Sequence, residues 1–413
     1  MQLKKYETGR MDMNGNREVK TVFVGIGGYG AAVLGNLLDR GGDGVVRIVG
    51  AADPYAHSSP CAPRLEKAGI PIYGDMEEML GELCDGADAP ELAVISTPIQ
   101  FHRRQIEAAL SRGINVICEK PLSGDISDIA PIEEAVAESG RFAAIGYQWS
   151  FSDAVCRLKK DILSGVFGRA VNMKTMVLWP RDKKYFTRST RWAGKLRASD
   201  GTQILDSIAN NATAHYIHNI LYLLGDAPDS SARPVRVNAT LLRTNDIETF
   251  DSVTADFELD NGAKGFYVAS HATDENIDPV FEYIFEKGRV IYPDAEHRIR
   301  AIMDDGSEKV YGDPFAGGAA EKVIKCARAI IDGSKDIPCP VSAAAEQVRF
   351  ISMLHSYNRI YDTSESAVVD TSERMYVKGL SQALKECYKE EKLLSQTDYF
   401  DGIVRKVEEN ADV

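Results

Sequence analysis

No uninterrupted apolar stretch in these 413 residues is long enough to span a bilayer. The first twenty residues mix both charge signs and lack the apolar run of a secretory signal, so residues 1–18 are expected to form a loose N-terminal extension. Cysteine is sparse and scattered, at Cys61, Cys84, Cys118, Cys156, Cys326, Cys339 and Cys387. The count is odd, and no CxxC or zinc-type spacing occurs. Free thiols in a reducing cytoplasm are therefore the better reading than a disulfide framework or a zinc site. Net positive charge is also missing. A net charge of −13 argues against nucleic acid or an anionic membrane as the main partner. Internal repeats and low-complexity tracts are absent as well. What remains is a globular composition, 44% hydrophobic and 26% charged, on a chain long enough for two domains.

The most informative string is Gly25-Ile26-Gly27-Gly28-Tyr29-Gly30. It follows an apolar run, Thr21 to Val24, and opens a helical pattern, Ala31 to Leu38. Strand, glycine turn and helix in that order make the pyrophosphate site of a dinucleotide. Gly25 permits the tight turn, Gly27 lets backbone approach phosphate, and Gly30 lets the helix pack on the strand. A second apolar run, Val45 to Ala52, ends at Asp53. A carboxylate there accepts hydrogen bonds from both ribose hydroxyls of NAD and repels the 2′-phosphate of NADP. NAD is therefore the expected cofactor.

Strand patterns at 20–25, 45–52, 70–73, 91–96, 114–118 and 141–145 alternate with helical ones near 28–39, 75–83, 100–112 and 125–139. This predicts an α/β Rossmann domain over 19–145, with a doubly wound parallel sheet. After a helix near 153–164, the strand patterns follow one another: 170–178, 234–243, 251–259, 263–270, 280–286, 288–292 and 298–303. Strands in succession predict an α+β second domain, 146–361, built on an open, mainly antiparallel sheet. Two late helices are placed near 317–333 and 342–360. A last one, 371–394, has a capping-box start at Asp370 with Glu373. Residues 362–413 are thus expected as a helical extension.

Ser96-Thr97-Pro98 follows the fourth strand and Glu119-Lys120-Pro121 the fifth, at the carboxyl edge where such sheets bind ligands. A partly desolvated Lys120 there could hold a substrate hydroxyl and stabilise charge on its oxygen. Between 201 and 224 the one formally charged residue is Asp206, where about six would be average, which marks a shielded stretch. Asn211, His215, His218 and Tyr222 recur at i, i+4, i+7 and i+11, a polar but uncharged line suited to a cleft wall or a buried hydrogen-bond network. His215 and His218 have no third ligand at metal spacing, so no metal is expected. Segment 181–200 runs against the overall charge. Arg181, Lys183, Lys184, Arg188, Arg191, Lys195 and Arg197 face Asp182 and Asp200, a net of +5. It reads as a solvated or subunit-facing loop, or as a wall that binds an anionic group on the substrate.

The chain resembles the glucose–fructose oxidoreductase / inositol dehydrogenase / MocA family over residues 19–360. The matching features, in order, are the glycine turn at 25–30, Asp53, Thr97-Pro98 with His102 downstream, Glu119-Lys120-Pro121, and the later antiparallel strands. The resemblance implies hydride transfer between NAD and a secondary hydroxyl of a sugar, cyclitol or related polyol. It implies Lys120 as a catalytic residue, His102 near the cofactor, Gln148 beside the nicotinamide, and Trp192 ahead of a catalytic helix. Aligned on Leu223-Leu224-Gly225, His215 falls on the family's histidine and Asn211 on its acid, with Asp206 the nearest carboxylate. Ser150 and Asp153 stand where the family often has arginine and proline. An NAD-dependent glycosidase or lyase with transient oxidation, and an NAD-binding regulator without turnover, are the alternatives. Family members commonly cover the outer face of the antiparallel sheet by dimerising, so a homo-oligomer, dimer or tetramer, is expected.

Overall fold

The computed structural model describes residues 17–187 and 192–405. Most of the proposed N-terminal extension, Arg188, Arg191 and residues 406–413 lie outside the described residues. In chain order the elements begin β1 (Val19–Val24), α1 (Gly28–Asp39), β2 (Val46–Ala52), α2 (Ala62–Lys67), β3 (Ile72–Tyr73), α3 (Met76–Leu83), β4 (Leu92–Ile95), α4 (His102–Ser111), β5 (Asn115–Cys118), α5 (Ile129–Ser139) and β6 (Ala143–Ile145). They continue with α6 (Asp153–Leu163), β7 (Ala170–Leu178), α7 (Lys183–Thr187), α8 (Ala214–Leu223), β8 (Pro234–Arg243), β9 (Ser252–Leu259), β10 (Lys264–Ser270), β11 (Ile277–Phe285), β12 (Gly288–Tyr292), β13 (Ile299–Met303) and β14 (Glu308–Gly312). The last are α9 (Glu321–Ile331), α10 (Val341–Tyr357), β15 (Ile360–Asp362), β16 (Val368–Asp370), β17 (Met375–Val377), α11 (Leu380–Glu390) and α12 (Asp398–Ile403).

The chain divides into two compact units. The first takes the residues up to Leu122 together with Ser127–Ser152 and Phe315–Ser342. The second takes Ser123–Ile126, Asp153–Pro314 and the residues from Ala343 onward. In the first unit six parallel strands run in the order β3-β2-β1-β4-β5-β6. The order reverses between β1 and β4, which opens a crevice at their carboxyl ends. β4 and β5 are buried at every position, apolar throughout but for Asn115, as strands covered on both faces are. The late segment 315–342 belongs to this unit: Arg40 Nη1 donates to Gly317 O (3.1 Å), and Trp149 packs edge-on against Phe315 with ring centroids 5.4 Å apart.

In the second unit nine strands run in the order β14-β13-β12-β11-β7-β10-β9-β8-β15. Pairing is antiparallel except for β7 with β10 and β8 with β15. One sheet face carries apolar residues of β7, β8 and β10, among them Met176, Leu178, Leu242, Phe266 and Val268. They form one core with Leu380, Leu384 and Cys387 of α11 and Phe400 and Ile403 of α12. Polar bonds stitch the cover down: Leu394 N donates to Thr254 Oγ1 (2.9 Å) and Ser395 N to Thr240 Oγ1 (3.1 Å). Over these strands the chain's own C-terminal segment supplies the kind of cover that a homo-oligomer was expected to give.

The capping box at Asp370 is not formed. Asp370 ends β16, which pairs antiparallel with β17, and Thr371 Oγ1 accepts from Arg374 N (3.0 Å) at the turn between them. A side-chain turn has competed with the helix start there. α11 begins only after Gly379, whose φ of +80° breaks the chain direction.

Candidate functional site

In the first unit the glycine turn is shaped by two close approaches. Gly25 has φ +84°, and a Cβ on it would lie 2.7 Å from Ser96 O. A Cβ on Gly30 would lie 2.2 Å from Gly25 O, so the first turn of α1 sits directly on the strand end. Gly27 is different. The nearest atom to its Cβ position is Asp53 Oδ2 at 3.8 Å, so the protein leaves the space before it open. Gly27 is also the N-cap of α1 and supplies no side-chain acceptor, so the first N–H groups of the helix face that space with the positive end of the dipole. Asp53 accepts from Ile26 N (2.9 Å) and Tyr55 N (2.8 Å). Those bonds orient a carboxylate that has further lone pairs for ribose hydroxyls. The donor set and the open cradle fit NAD.

The two edge loops are tied together. His102, at the start of α4 and 1% exposed, places Nε2 2.9 Å from Thr97 O and Nδ1 2.9 Å from Pro121 O. Burial lowers its pKa, and the two carbonyl oxygens oppose that shift without cancelling it. A neutral ring donates to only one of them; the imidazolium serves both. Ser96 Oγ is buried and makes no hydrogen bond among the described residues. Lys120 is half-buried between Glu119 and Pro121.

Glu119 is held by a residue that sequence reasoning missed. Its carboxylate, 9% exposed, forms an ion pair with Lys322 of α9, 1% exposed. Lys322 Nζ also lies over the Tyr29 ring, 4.7 Å from the centroid. Burial pushes Lys322 down, but Glu119 and Tyr29 outweigh it and the net shift is upward. Tyr29 OH donates to Gln148 Oε1 (3.1 Å), and Gln148 Nε2 donates to Gly318 O (3.3 Å). The glycine turn, the Glu119 loop and segment 315–342 thus share one polar cluster. A signal was present: Lys322 lies on the stripe of α9 that carries buried Cys326 and Ala329, an unusual place for an unpaired lysine.

In the second unit α8 begins at Ala214, so Asn211 is not on it. Asn211 N bonds to Ser207 O (3.0 Å) in the preceding turn, and the polar line of the helix starts at His215. His215 is half-buried. His218 is 1% exposed and stacks on Tyr222 at 5.7 Å, while Lys159 Nζ lies 3.7 Å from the Tyr222 centroid. Burial, with the Lys159 charge, pushes His218 down to about 3. His218 and Tyr222 are thus part of a buried cluster. Asp206 is 7% exposed and accepts from Gly194 N (2.7 Å). The residue before it, Leu205, has φ +44°, a strained value for a leucine. Trp192 is half-buried, and its carbonyl accepts from Lys195 N (3.2 Å).

The basic segment is mostly paired where it is described. Lys183 pairs with Asp370, Lys195 with Glu248 (2.9 Å), and Arg197 Nη1 donates to Gly201 O (2.9 Å). Among the described residues no group of three His, Cys, Asp or Glu is placed to hold a metal, and no helix is long and apolar enough to cross a membrane.

A doubly wound sheet with this glycine turn, on a chain that also carries a mainly antiparallel sheet, defines a dinucleotide-binding protein. The sequence matches "Oxidoreductase family, NAD-binding Rossmann fold" over residues 19–147 and "GFO/IDH/MocA C-terminal domain" over residues 155–291. The chain belongs to the Gfo/Idh/MocA family and is an NAD-binding oxidoreductase. It is 27% identical over 304 residues to the 1-carboxy-3-chloro-3,4-dihydroxycyclohexa-1,5-diene dehydrogenase of Comamonas testosteroni, covering 71% of this chain and 70% of that one. It is 30% identical over 162 residues to inositol 2-dehydrogenase 4 of Saccharopolyspora erythraea, covering 38% of this chain and 45% of that one. In fold it is similar to the WlbA dehydrogenase of Bordetella pertussis, solved with NADH and UDP-GlcNAcA (TM-score 0.63, 19% identity, 82% of this chain and 96% of that one).

Proposed function

We propose that this enzyme oxidises a secondary hydroxyl of a ring polyol, diol or sugar to the ketone. The named relatives act on ring compounds of this kind, inositol and a dihydroxycyclohexadiene. The observation that carries the reading is the seating of Lys120. Its loop is pinned on one side by His102 at Pro121 O and on the other by the Glu119–Lys322 pair, beside the glycine turn. A lysine so fixed holds the substrate oxygen and stabilises negative charge on it. His215, half-buried at the start of α8, takes the hydroxyl proton. Bound NAD, held by the glycine turn and Asp53, would supply the hydride acceptor, so that with the proton taken by His215 the alcohol would lose two electrons and two hydrogens in all. Gln148, fixed by Tyr29 and Gly318, lines the cofactor side. Asn211 and Asp206 are the candidates to orient His215.

A panel of sugars, inositols and their acids, assayed with NAD and NADP at 340 nm, tests the reading. Lys120→Met is expected to lower kcat by about 10²–10⁴-fold while NAD affinity stays within a few fold. Near-normal turnover removes Lys120 from the mechanism. Glycoside cleavage without net NADH would instead favour transient oxidation.

A further inference from the structure

Arg181 is the partly buried member of the described basic segment around α7 that has no ion-pair partner among the described residues. It follows β7, and its backbone N–H donates to His271 O (3.2 Å) at the matching end of β10. Its guanidinium lies 5.8 Å from the ring centroid of Trp179 and 5.0 Å from that of Tyr185. Its Nε is buried and makes no hydrogen bond, and no carboxylate among the described residues lies within ion-pair distance. Nearby carboxylates are engaged elsewhere. Asp182 Oδ1 accepts from Tyr185 N (2.8 Å), and Asp278 Oδ1 accepts from Trp179 Nε1 (3.0 Å). His271 offers no countercharge. Its Nδ1 lies 2.7 Å from Trp179 O, and burial, with the Arg181 charge, pushes it down to about 3, so it is neutral. Tyr185 and His271 also border a small void of about 10 Å³, which Asp206, Ile208, Phe250 and Asp251 help to line and Arg181 does not.

A guanidinium whose Nε is withdrawn from water without a partner is costly unless something else completes it. Aromatic rings satisfy its faces but not its N–H groups. The same neighbourhood reaches the start of α8, because the Trp179 ring packs edge-on at 5.9 Å against Tyr216, the residue after His215. We infer that Arg181 recognises an anionic oxygen group, a carboxylate or phosphate, on the substrate. The planar fork of Arg181 matches either group with two parallel hydrogen bonds. The inference rests on the assignment of His215 to substrate chemistry, and it adds the substrate's charge.

The test uses the full chain with NADH bound, titrated calorimetrically with glucose, glucuronate and glucose 6-phosphate. Wild-type protein is expected to bind one of the two acids at least about tenfold more tightly than glucose, and the better acid identifies the group. Arg181→Gln is expected to lower that acid-to-neutral ratio by about ten- to hundredfold. Arg181→Lys, which keeps the charge and loses the fork, retains part of it. NADH affinity, measured separately, checks that each variant is folded. No preference for either acid in the wild type, or an equal loss on all three ligands in Arg181→Gln, overturns the inference. Turnover at 340 nm is scored apart. A binding preference without NADH formation leaves Arg181 standing and sinks the dehydrogenase reading, and NADH formation without preference does the reverse.

Discussion

The glycine turn and the entry to α8 are built in opposite ways. Around Gly25–Gly30 the polar and turn contacts reach at most 27 residues along the chain, Gly30 to Gly25 and Ile26 and Tyr55 to Asp53, with Ser96 behind Gly25 the longer reach. Around Asp206–His215 they come from distant positions: Thr249 Oγ1 donates to Asp206 O (2.9 Å), and Gln347 Nε2 to Asn210 Oδ1 (3.3 Å). The first design tolerates change elsewhere in the chain, while the second depends on it. Lys322 breaks the pattern, since it brings long-range dependence into the nucleotide unit.

That exception gives the largest expected effect. Lys322→Met strands the buried Glu119 charge and should cost about 3–5 kcal/mol of stability. Glu119→Gln/Lys322→Met should recover most of it, as urea titration of both variants would show. A double variant no better than Lys322→Met would mean that Glu119 is not the group being neutralised.

The covered sheet face comes next. Leu384→Ala empties part of the core under α11 and should cost about 2–5 kcal/mol. A loss under about 0.5 kcal/mol would mean the C-terminal cover does not stabilise the sheet.

The buried cluster of α8 should appear in the pH dependence of stability. Above about pH 6.5, His218 is neutral both folded and unfolded and contributes no difference. Below that, the unfolded chain takes up a proton that the folded one, with His218 held near 3, refuses. Stability is therefore lost as pH falls, by about 2 kcal/mol at pH 5 from this residue. His218→Gln should flatten the fall between pH 7 and pH 5, whatever it does to stability at pH 7. An unchanged slope would show that His218 is protonated in the folded protein.

The smallest effect belongs to the most local site. Asp53→Asn should weaken NAD binding by about tenfold, as expected for losing a charge-assisted hydrogen bond, and narrow the preference over NADP. Unchanged selectivity would mean that another group reads the ribose.

Legibility in the sequence followed the same division. β1 to β6 lie within two residues of the apolar runs that announce them, because largely buried strands leave a nearly continuous apolar record. α2 (Ala62–Lys67) left none, being too short for a periodic pattern. Asn211 was read as helical from spacing alone, but Ser207 and Ile208 carbonyls turn that stretch before the helix begins. The Asp370 capping box failed for a related reason, since Thr371 offered the same backbone a competing turn.

By itself the sequence determined the glycine turn, the acid at Asp53 that follows the second strand, and the change from alternating to successive strands. Each of these depends on residues close together in the chain, whose sterics and periodicity act before any tertiary contact. Only the tertiary structure decided that residues 315–342 return to the first unit and bring Lys322 to Glu119. It also decided that α11 and α12 cover one face of the sheet over β7, β8 and β10, and that Arg181 stands among aromatic rings without a counterion among the described residues. Charge neutralisation and apolar burial are satisfied by whatever lies nearest in space, and across more than a hundred residues the chain order does not say what that is.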